Sequence, residues 1–288
     1  LHPEIKNKGK GTMFTLNCKG RLLVLHQPVV MGIINTTPDS FYSNSRRSSA
    51  DAALAQAEKM LQEGATILDL GGQSTRPGAE QVGAPAEAAR VVPVIEAIHR
   101  RFPEAYISVD TYHAAVAAAA VEAGACIVND VSGGSLDAAM LSTVAQLQVP
   151  YICMHMRGTP ENMQQHTQYS DVTQEVLDFF IKQTAACRHA GIHDVIVDPG
   201  FCFAKNSSQN FQLLRELDTF AILGLPVLAG ISRKSMVYKT LGTTAAEALN
   251  GSTVLHTLAL LKGASILRVH DVKEAVEAVK LVAAYRGE

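Results

Sequence analysis

The residues best suited to chemistry in this chain stand at the ends of short apolar runs. Asn35 follows VVMGII, Ser74-Thr75-Arg76 follow TILDLGG, Asp110 follows YISV, and Asn129-Asp130 follow CIV. His155 follows YICM, Asp198 follows DVIV, Ser232-Arg233-Lys234 follow PVLAGI, and Arg268 and His270 follow SIL. Asp110, Asn129 and Asp198 together offer donors and acceptors to a flat, nitrogen-rich heterocycle, because a carboxylate can take two N–H bonds from an aminopyrimidine edge, as acidic side chains read base edges. Each has a plainer use in capping the helix that follows. Asp198 fits that use worst, since Pro199 and a long loop come next. Lys234, Arg268 and His270 suit an anion, and the loops after the last two strands of a parallel barrel often build a phosphate site. AGISRKS lacks the G-x-x-x-x-G-K spacing of a P-loop, and His270 taken alone fits a satisfied core histidine almost as well.

The elements that must position these groups follow from the same runs. Continuous apolar segments are the signature of strands buried on both faces. Polar groups at every C-terminal strand end are how a (β/α)₈ TIM barrel assembles one site from many loops. Ahead of the eight barrel strands, MFTLN and RLLVL around Cys18-Lys19-Gly20 predict a β-hairpin over residues 13–26, placed to plug the floor opposite the mouth. Helical periodicity predicts helices at Ser49–Glu63, Ala86–Arg101, Tyr112–Ala123, Asp137–Gln146 and Asp171–Ala190, then Gln209–Leu217, Ala245–Lys262 and Val272–Ala284. Long loops are expected at about 35–47, 71–85, 155–169 and 198–208, longer than a βα turn needs. In the first of them Phe41 stands among Thr, Pro, Asp and Ser, which suggests a cover for a ring beside the plainer reading of turn chemistry.

The chain has 288 residues, and eight units without a low-complexity linker predict one domain over 13–288. Residues 1–12, LHPEIKNKGKGT, are polar and aperiodic, and are expected to be a disordered or extraneous leader before a natural start at Met13, with a fragment of a longer polypeptide as the other reading. A formal net charge of -2 predicts no general attraction to nucleic acid or to an anionic membrane, and no apolar stretch approaches the roughly 18 residues of a span. Five cysteines without a C-x-x-C pair fit a reducing, cytoplasmic setting better than a disulfide framework.

Taken in order, NTTPDSF, GGQSTRPG, SVDTY, NDVSGG, MHMRGTP, DPGFCFAK, GISRKS and RVHDV resemble the dihydropteroate synthase family over nearly the whole chain from Met13. The resemblance implies a (β/α)₈ barrel that condenses 6-hydroxymethyl-7,8-dihydropterin pyrophosphate with p-aminobenzoate, releasing pyrophosphate and 7,8-dihydropteroate. It further implies Mg²⁺, a homodimer, and sulfonamides as competitors of p-aminobenzoate. By motif, Asp110, Asn129, Asp198 and Lys234 would hold the pterin. Asn35, Arg268 and His270 would bind the pyrophosphate, with Mg²⁺ at Asn35 and Thr75 near the leaving group. Phe41, Thr75, Arg76, Pro77, Phe203 and Ser232 would shape the p-aminobenzoate pocket, and Asp110, Lys234, Arg268 and His270 would carry the catalysis. The family's mechanism is dissociative, with pyrophosphate leaving before the amine attacks. Three departures stand out: Gln73 where the family often has Glu, Cys202 where Gly is common, and Tyr42-Ser43-Asn44 after the loop-one Phe. The rivals are a pterin-binding methyltransferase, which has no need of STRPG and SRKS, and a non-catalytic pterin-binding subunit. A metal-dependent barrel hydrolase is disfavoured by the missing His-x-His after the first strand.

Overall fold

Before the barrel comes the hairpin, β1 (Phe14–Cys18) and β2 (Arg21–Leu25), paired antiparallel with Phe14 opposite Leu25 and Cys18 opposite Arg21. Its turn is Lys19-Gly20, both at positive φ (54° and 85°), the geometry whose twist matches the flanking strands. Cys18 therefore belongs to the strand and not to the turn. Alternation does the rest: Leu16, Cys18, Leu23 and Leu25 are buried while Leu22 and Val24 face solvent. The buried set packs against Met31, Ile67, Ile127, Ile152, Ile196, Leu228 and Ile266. These residues lie in the N-terminal halves of their barrel strands, so the hairpin closes the floor as the sequence predicted.

The structure is a computed structural model that describes residues 13–36, 46–73 and 82–288. Its parallel sheet comprises β3 (Val29–Asn35), β4 (Ile67–Gly71), β5 (Tyr106–Asp110), β6 (Ile127–Asp130), β7 (Tyr151–Met154), β8 (Val195–Asp198), β9 (Leu228–Ala229) and β10 (Ile266–Val269). Their order is β8-β7-β6-β5-β4-β3-β10-β9. The remaining seam closes through a parallel bridge between Val197 and Val227, where the Val197 N–H donates to the Pro226 carbonyl at 3.0 Å. Pro226 has no N–H to give back, which keeps β9 short. The result is a nearly closed (β/α)₈ barrel, the expected fold class.

Around it run α1 (Arg46–Gln62), α2 (Ala84–Arg101), α3 (Ala114–Glu122), α4 (Met140–Leu147), α5 (Val172–Ala190), α6 (Ser207–Arg215), α7 (Ser235–Leu241), α8 (Leu249–Leu261) and α9 (Val272–Arg286). Helix α5 starts where the Asp171 side chain accepts from the Thr173 and Gln174 N–H groups, and it stops at Gly191 with φ 99°. A reciprocal capping box between Asn206 and Gln209 starts α6 two residues earlier than its periodicity suggested. The short α7 escaped the sequence reading, since its N-cap residue Lys234 makes no side-chain cap. The expected Ala245–Lys262 helix begins only at Leu249. Apolar side chains of strands and helices form a continuous shell between the two layers, with Ile34, Leu68, Val109 and Val128 meeting Ile95, Ile98, Val116 and Val144. Among the described residues, no helix is long and apolar enough to cross a membrane.

Candidate active site

A strand's period of two carries each inward face from floor to mouth. On β4 the sequence Ile67, Asp69, Gly71 runs from the floor cluster upward, and on β10 the corresponding series is Ile266, Arg268, His270. At the mouth, Asn35 pairs in register with Gly71, Gly71 with Asp110, and Asp110 with Asn129. The strand pairing thus sets Asn35, Asp110 and Asn129 along one rim, and none of these contacts is local in sequence.

Arg268 crosses the barrel to join two carboxylates. Its Nε donates to Asp69 Oδ2 and its Nη2 to Asp110 Oδ2, each at 2.6 Å. The Asn129 amide donates to the same Asp69 oxygen at 3.1 Å. Burial pushes Asp110 up to about 7; the Arg268 guanidinium opposes that rise and Asp69 adds to it. Burial also works against the Arg268 charge, but Asp69 and Asp110 outweigh it and raise its pKa above the ordinary value. Asp198 is buried at the end of β8, where desolvation raises its pKa and Lys234 resists the rise. Its Oδ1 accepts from the Gly200 N–H at 2.8 Å. Lys234 donates to the Phe201 carbonyl at 2.7 Å and stands 4.6 Å over the centre of the buried Phe203 ring. Burial lowers its pKa. A Cβ placed on Gly230 would lie 3.7 Å from Lys234 Nζ and 3.8 Å from Asp198 Oδ2, so these opposite charges flank one point at the end of β9.

The capping alternative fails for all three polar strand ends. Helix α3 is N-capped at His113, α4 at Ala139 and α6 at Asn206, leaving Asp110, Asn129 and Asp198 in the mouth. Ser232 and His270, assigned to different substrates by motif, are neighbours: Ser232 Oγ lies 3.1 Å from His270 Nδ1 and accepts from the His270 N–H at 3.2 Å. Arg233 does not join the basic mouth. At φ 54° it turns to Asp271 with two bonds of 2.8 Å and also donates to the Ala245 and Ala246 carbonyls, tying the β9 and β10 loops together. Asn35 closes β3 half-buried, and beside it both the N–H and the hydroxyl of Thr36 donate to the Gly71 carbonyl (2.9 and 3.0 Å). Phe41, Thr75, Arg76 and Pro77 lie outside the described residues.

Sequence reasoning missed Asp69, although a charge inside the apolar run TILDLGG was a signal that something buried must meet it. It also gave no role to His155 and overlooked Lys205, which are bonded to each other below the β8 loop at 3.0 Å. Among the described residues, no group of three or more His, Cys, Asp or Glu side chains is arranged to hold a metal.

The pattern of the pterin binding enzyme family matches residues 31–270. The chain is 45% identical over 271 residues to the dihydropteroate synthase of Escherichia coli (strain K12), covering 93% of this chain and 95% of that protein. A dihydropteroate synthase of Xanthomonas albilineans solved with 4-aminobenzoic acid superposes with a TM-score of 0.90 at 41% identity, covering 96% of this chain and 100% of the other. The Yersinia pestis enzyme in a sulfonamide drug complex gives 0.89 at 41% identity, with the same coverage. The chain belongs to the dihydropteroate synthases of the pterin binding enzyme family.

Proposed function

We propose that this barrel mouth performs the family's reaction through the residues just described. The enzyme is a transferase that joins 6-hydroxymethyl-7,8-dihydropterin pyrophosphate to p-aminobenzoate, giving 7,8-dihydropteroate and pyrophosphate. The observation that carries the residue roles is the direct contact of Asp110 with Arg268. It sets a carboxylate for the N–H edge of a pterin beside a cation for the attached pyrophosphate. Asp110, Asn129 and Asp198 accept from and donate to the ring, and Lys234 closes its pocket. Arg268 and His270 face the anion, and Ser232, hydrogen-bonded to His270, borders the p-aminobenzoate side with Phe203. When the C–O bond to the pyrophosphate breaks, the electron pair leaves with the anion toward Arg268. The methylene left behind is cationic, and buried carboxylates around the ring favour that charge. The amine nitrogen then forms the new C–N bond and loses its proton. Sulfonamides compete for the p-aminobenzoate side.

Mg²⁺ fits this arrangement as an ion arriving with the pyrophosphate. It commonly takes one or two protein oxygens, substrate phosphates and several waters, and Asn35 supplies an amide oxygen at the rim. Bound there, it would supply charge neutralisation for the leaving group. The homodimer has support on the opposite side of the barrel wall. Val254 and Leu258 on α8, and Leu281 (71% exposed) and Tyr285 (81% exposed) on α9, are apolar i,i+4 pairs that face solvent on two helices packed together. An apolar face of that kind marks an association site. Leu281→Glu should convert a dimer to a monomer in sedimentation; a wild-type monomer would remove the assignment. The five cysteines are free thiols, four of them buried, in keeping with a cytoplasmic protein.

Mass spectrometry of the product from the two substrates tests the reaction; a methyltransferase or a non-catalytic subunit makes no dihydropteroate. For the site, Asp198→Asn replaces an acceptor by a group that also presents a donor to the ring. Loss of a charge-assisted bond, about 1.5–3 kcal/mol, should weaken pterin pyrophosphate binding roughly tenfold to hundredfold in calorimetry. Unchanged affinity in a folded variant would exclude Asp198.

A further inference from the structure

Below the mouth lies a buried cation to which the proposed chemistry gives no task. Lys205 is 3% exposed. Its Nζ donates to the Gly200 and Phe203 carbonyls and to His155 Nδ1, each at 3.0 Å, and approaches the His155 carbonyl at 3.4 Å. An ammonium has three tetrahedral donors, and here they are matched by carbonyls and a ring nitrogen. For Nδ1 to accept, His155 must be the neutral tautomer with its proton on Nε2. Burial, with the Lys205 charge beside it, holds His155 well below its usual pKa, consistent with that form.

The loop wrapped around this ammonium is strained. Gly200, Cys202 and Ala204 all have left-handed backbones (φ 70°, 67° and 53°), and two of the three carry a Cβ that opposes that conformation. Such backbones persist only where the surroundings over-determine them. Every carbonyl from 200 to 203 meets a side-chain donor: Gly200 and Phe203 take Lys205, Phe201 takes Lys234, and Cys202 takes Gln164 at 3.2 Å. The Cys202 N–H donates to Asn210 Oδ1 at 2.6 Å. The winding directs the loop carbonyls onto two lysines, and the same winding leads away from Asp198 and presents the Phe203 ring beneath Lys234.

We propose that Lys205 is a positioning residue of this active site, gathering the β7 and β8 loops onto one ammonium so that Asp198, Phe203 and Lys234 are held in register for the pterin. This rests on the assignment of Asp198 and Lys234 to the pterin. Removing the ammonium strips a donor from the Gly200 and Phe203 carbonyls and from His155 Nδ1, of which the Gly200 carbonyl keeps the Phe203 N–H at 3.1 Å, and the strained turns lose side-chain bonds that hold them. Arg157 and His155 on the β7 loop, Asp198 and Cys202 on the β8 loop, and Lys234 on the β9 loop are the titratable and charged groups around it. Burial brings Lys205 down to about 7, with Asp198 resisting. Deprotonation removes one donor, so the clasp loosens as pH rises.

Two variants test this in the full-length enzyme. Lys205→Met keeps the stem and removes the donors; Lys205→Arg keeps a charge that does not titrate. Calorimetry with pterin pyrophosphate should show Lys205→Met binding roughly tenfold weaker or worse, the scale expected when site groups are misplaced. Amide hydrogen exchange should rise over residues 199–206 and stay unchanged in the floor hairpin. Between about pH 6 and about pH 9 the pterin KM of the wild type should climb relative to that of Lys205→Arg, the titration of Asp110 being common to both. A lysine with only a bulk structural role would lower the melting temperature and the active fraction, leaving the pterin affinity of folded protein and the pH profile unchanged; that result overturns the proposal. If Lys205→Met does not fold, the pH profile of Lys205→Arg decides. If the wild type fails to bind pterin pyrophosphate, the pterin reading of the mouth is wrong, and local exchange in the variants alone decides whether the clasp exists.

Discussion

A carboxylate in the middle of a barrel strand must be paired or pay a large desolvation cost, and Asp69 is paired with the one guanidinium that also meets Asp110. Its Oδ2 takes both Arg268 and Asn129, while its Oδ1 has no hydrogen-bond partner among the described residues. Asp110 has a second use, the pterin edge. Asp69 lies one layer deeper and is fully buried, so it is the fixed end of the Arg268 arm. Asp69→Asn keeps the shape and removes the charge. The expected outcome is a folded enzyme, by circular dichroism, with kcat/KM for the pterin substrate lowered roughly tenfold to hundredfold, corresponding to loss of a charged hydrogen bond of about 1.5–3 kcal/mol. A variant with wild-type kcat/KM would show that Arg268 is held by Asp110 alone.

Among the elements, the hairpin and the β8 loop represent two ways of placing a site. The hairpin contributes no group to the mouth, yet Leu16, Cys18, Leu23 and Leu25 fill the floor beneath every inward-facing polar residue. Leu16→Ala should cost about 2–5 kcal/mol, as for other buried leucines, read as a lower urea midpoint. The KM of the folded enzyme for both substrates should stay put, because the lesion is at the far end of the barrel; a raised KM would mean that floor and mouth are coupled. The β8 loop works oppositely. It has no regular structure, and its conformation depends on an acceptor brought from α6 and on donors brought from the β7 loop and from the start of α7.

At the scale of the whole molecule, charge burial ties stability to pH. Glu87 on α2 is fully buried, with one oxygen 3.3 Å from the Gln73 amide and the other without a hydrogen-bond partner among the described residues. Tyr112 completes the link by donating to Gln73 Oε1 at 3.1 Å. Desolvation raises Glu87 from 4.5 to about 8, opposed by the neighbouring Thr111 side chain. The sign follows from proton counting: above 4.5 the unfolded chain has released this proton while the folded chain keeps it, so stability falls as pH rises toward about 8. Glu87→Gln removes that dependence. Urea unfolding at about pH 5 and about pH 8 should show a variant more stable relative to wild type at the higher pH, and an equal difference at both would sink the assignment. Gln73 bears on the same point, since a Glu there would set a second carboxylate against Glu87 in a dry site.

The sequence by itself determined the barrel, the floor hairpin and the polar ends of its strands, because apolar periodicity and turn residues are local properties. It also carried the family, through ordered motifs that lie at the strand ends. Capping against binding could not be separated there for Asp110, Asn129 and Asp198, since both uses place the same residue types after a strand. Tertiary structure decided it by starting the following helices at His113, Ala139 and Asn206, clear of all three residues. It likewise decided partners: Arg268 with Asp69 is a contact across 199 residues, Asp110 with Arg268 across 158, and Lys205 with His155 across 50. No spacing rule encodes such pairs. They exist because strand pairing closes a ring and turns alternate side chains inward, where low polarity drives buried polar and charged groups toward whatever partners the ring brings within reach.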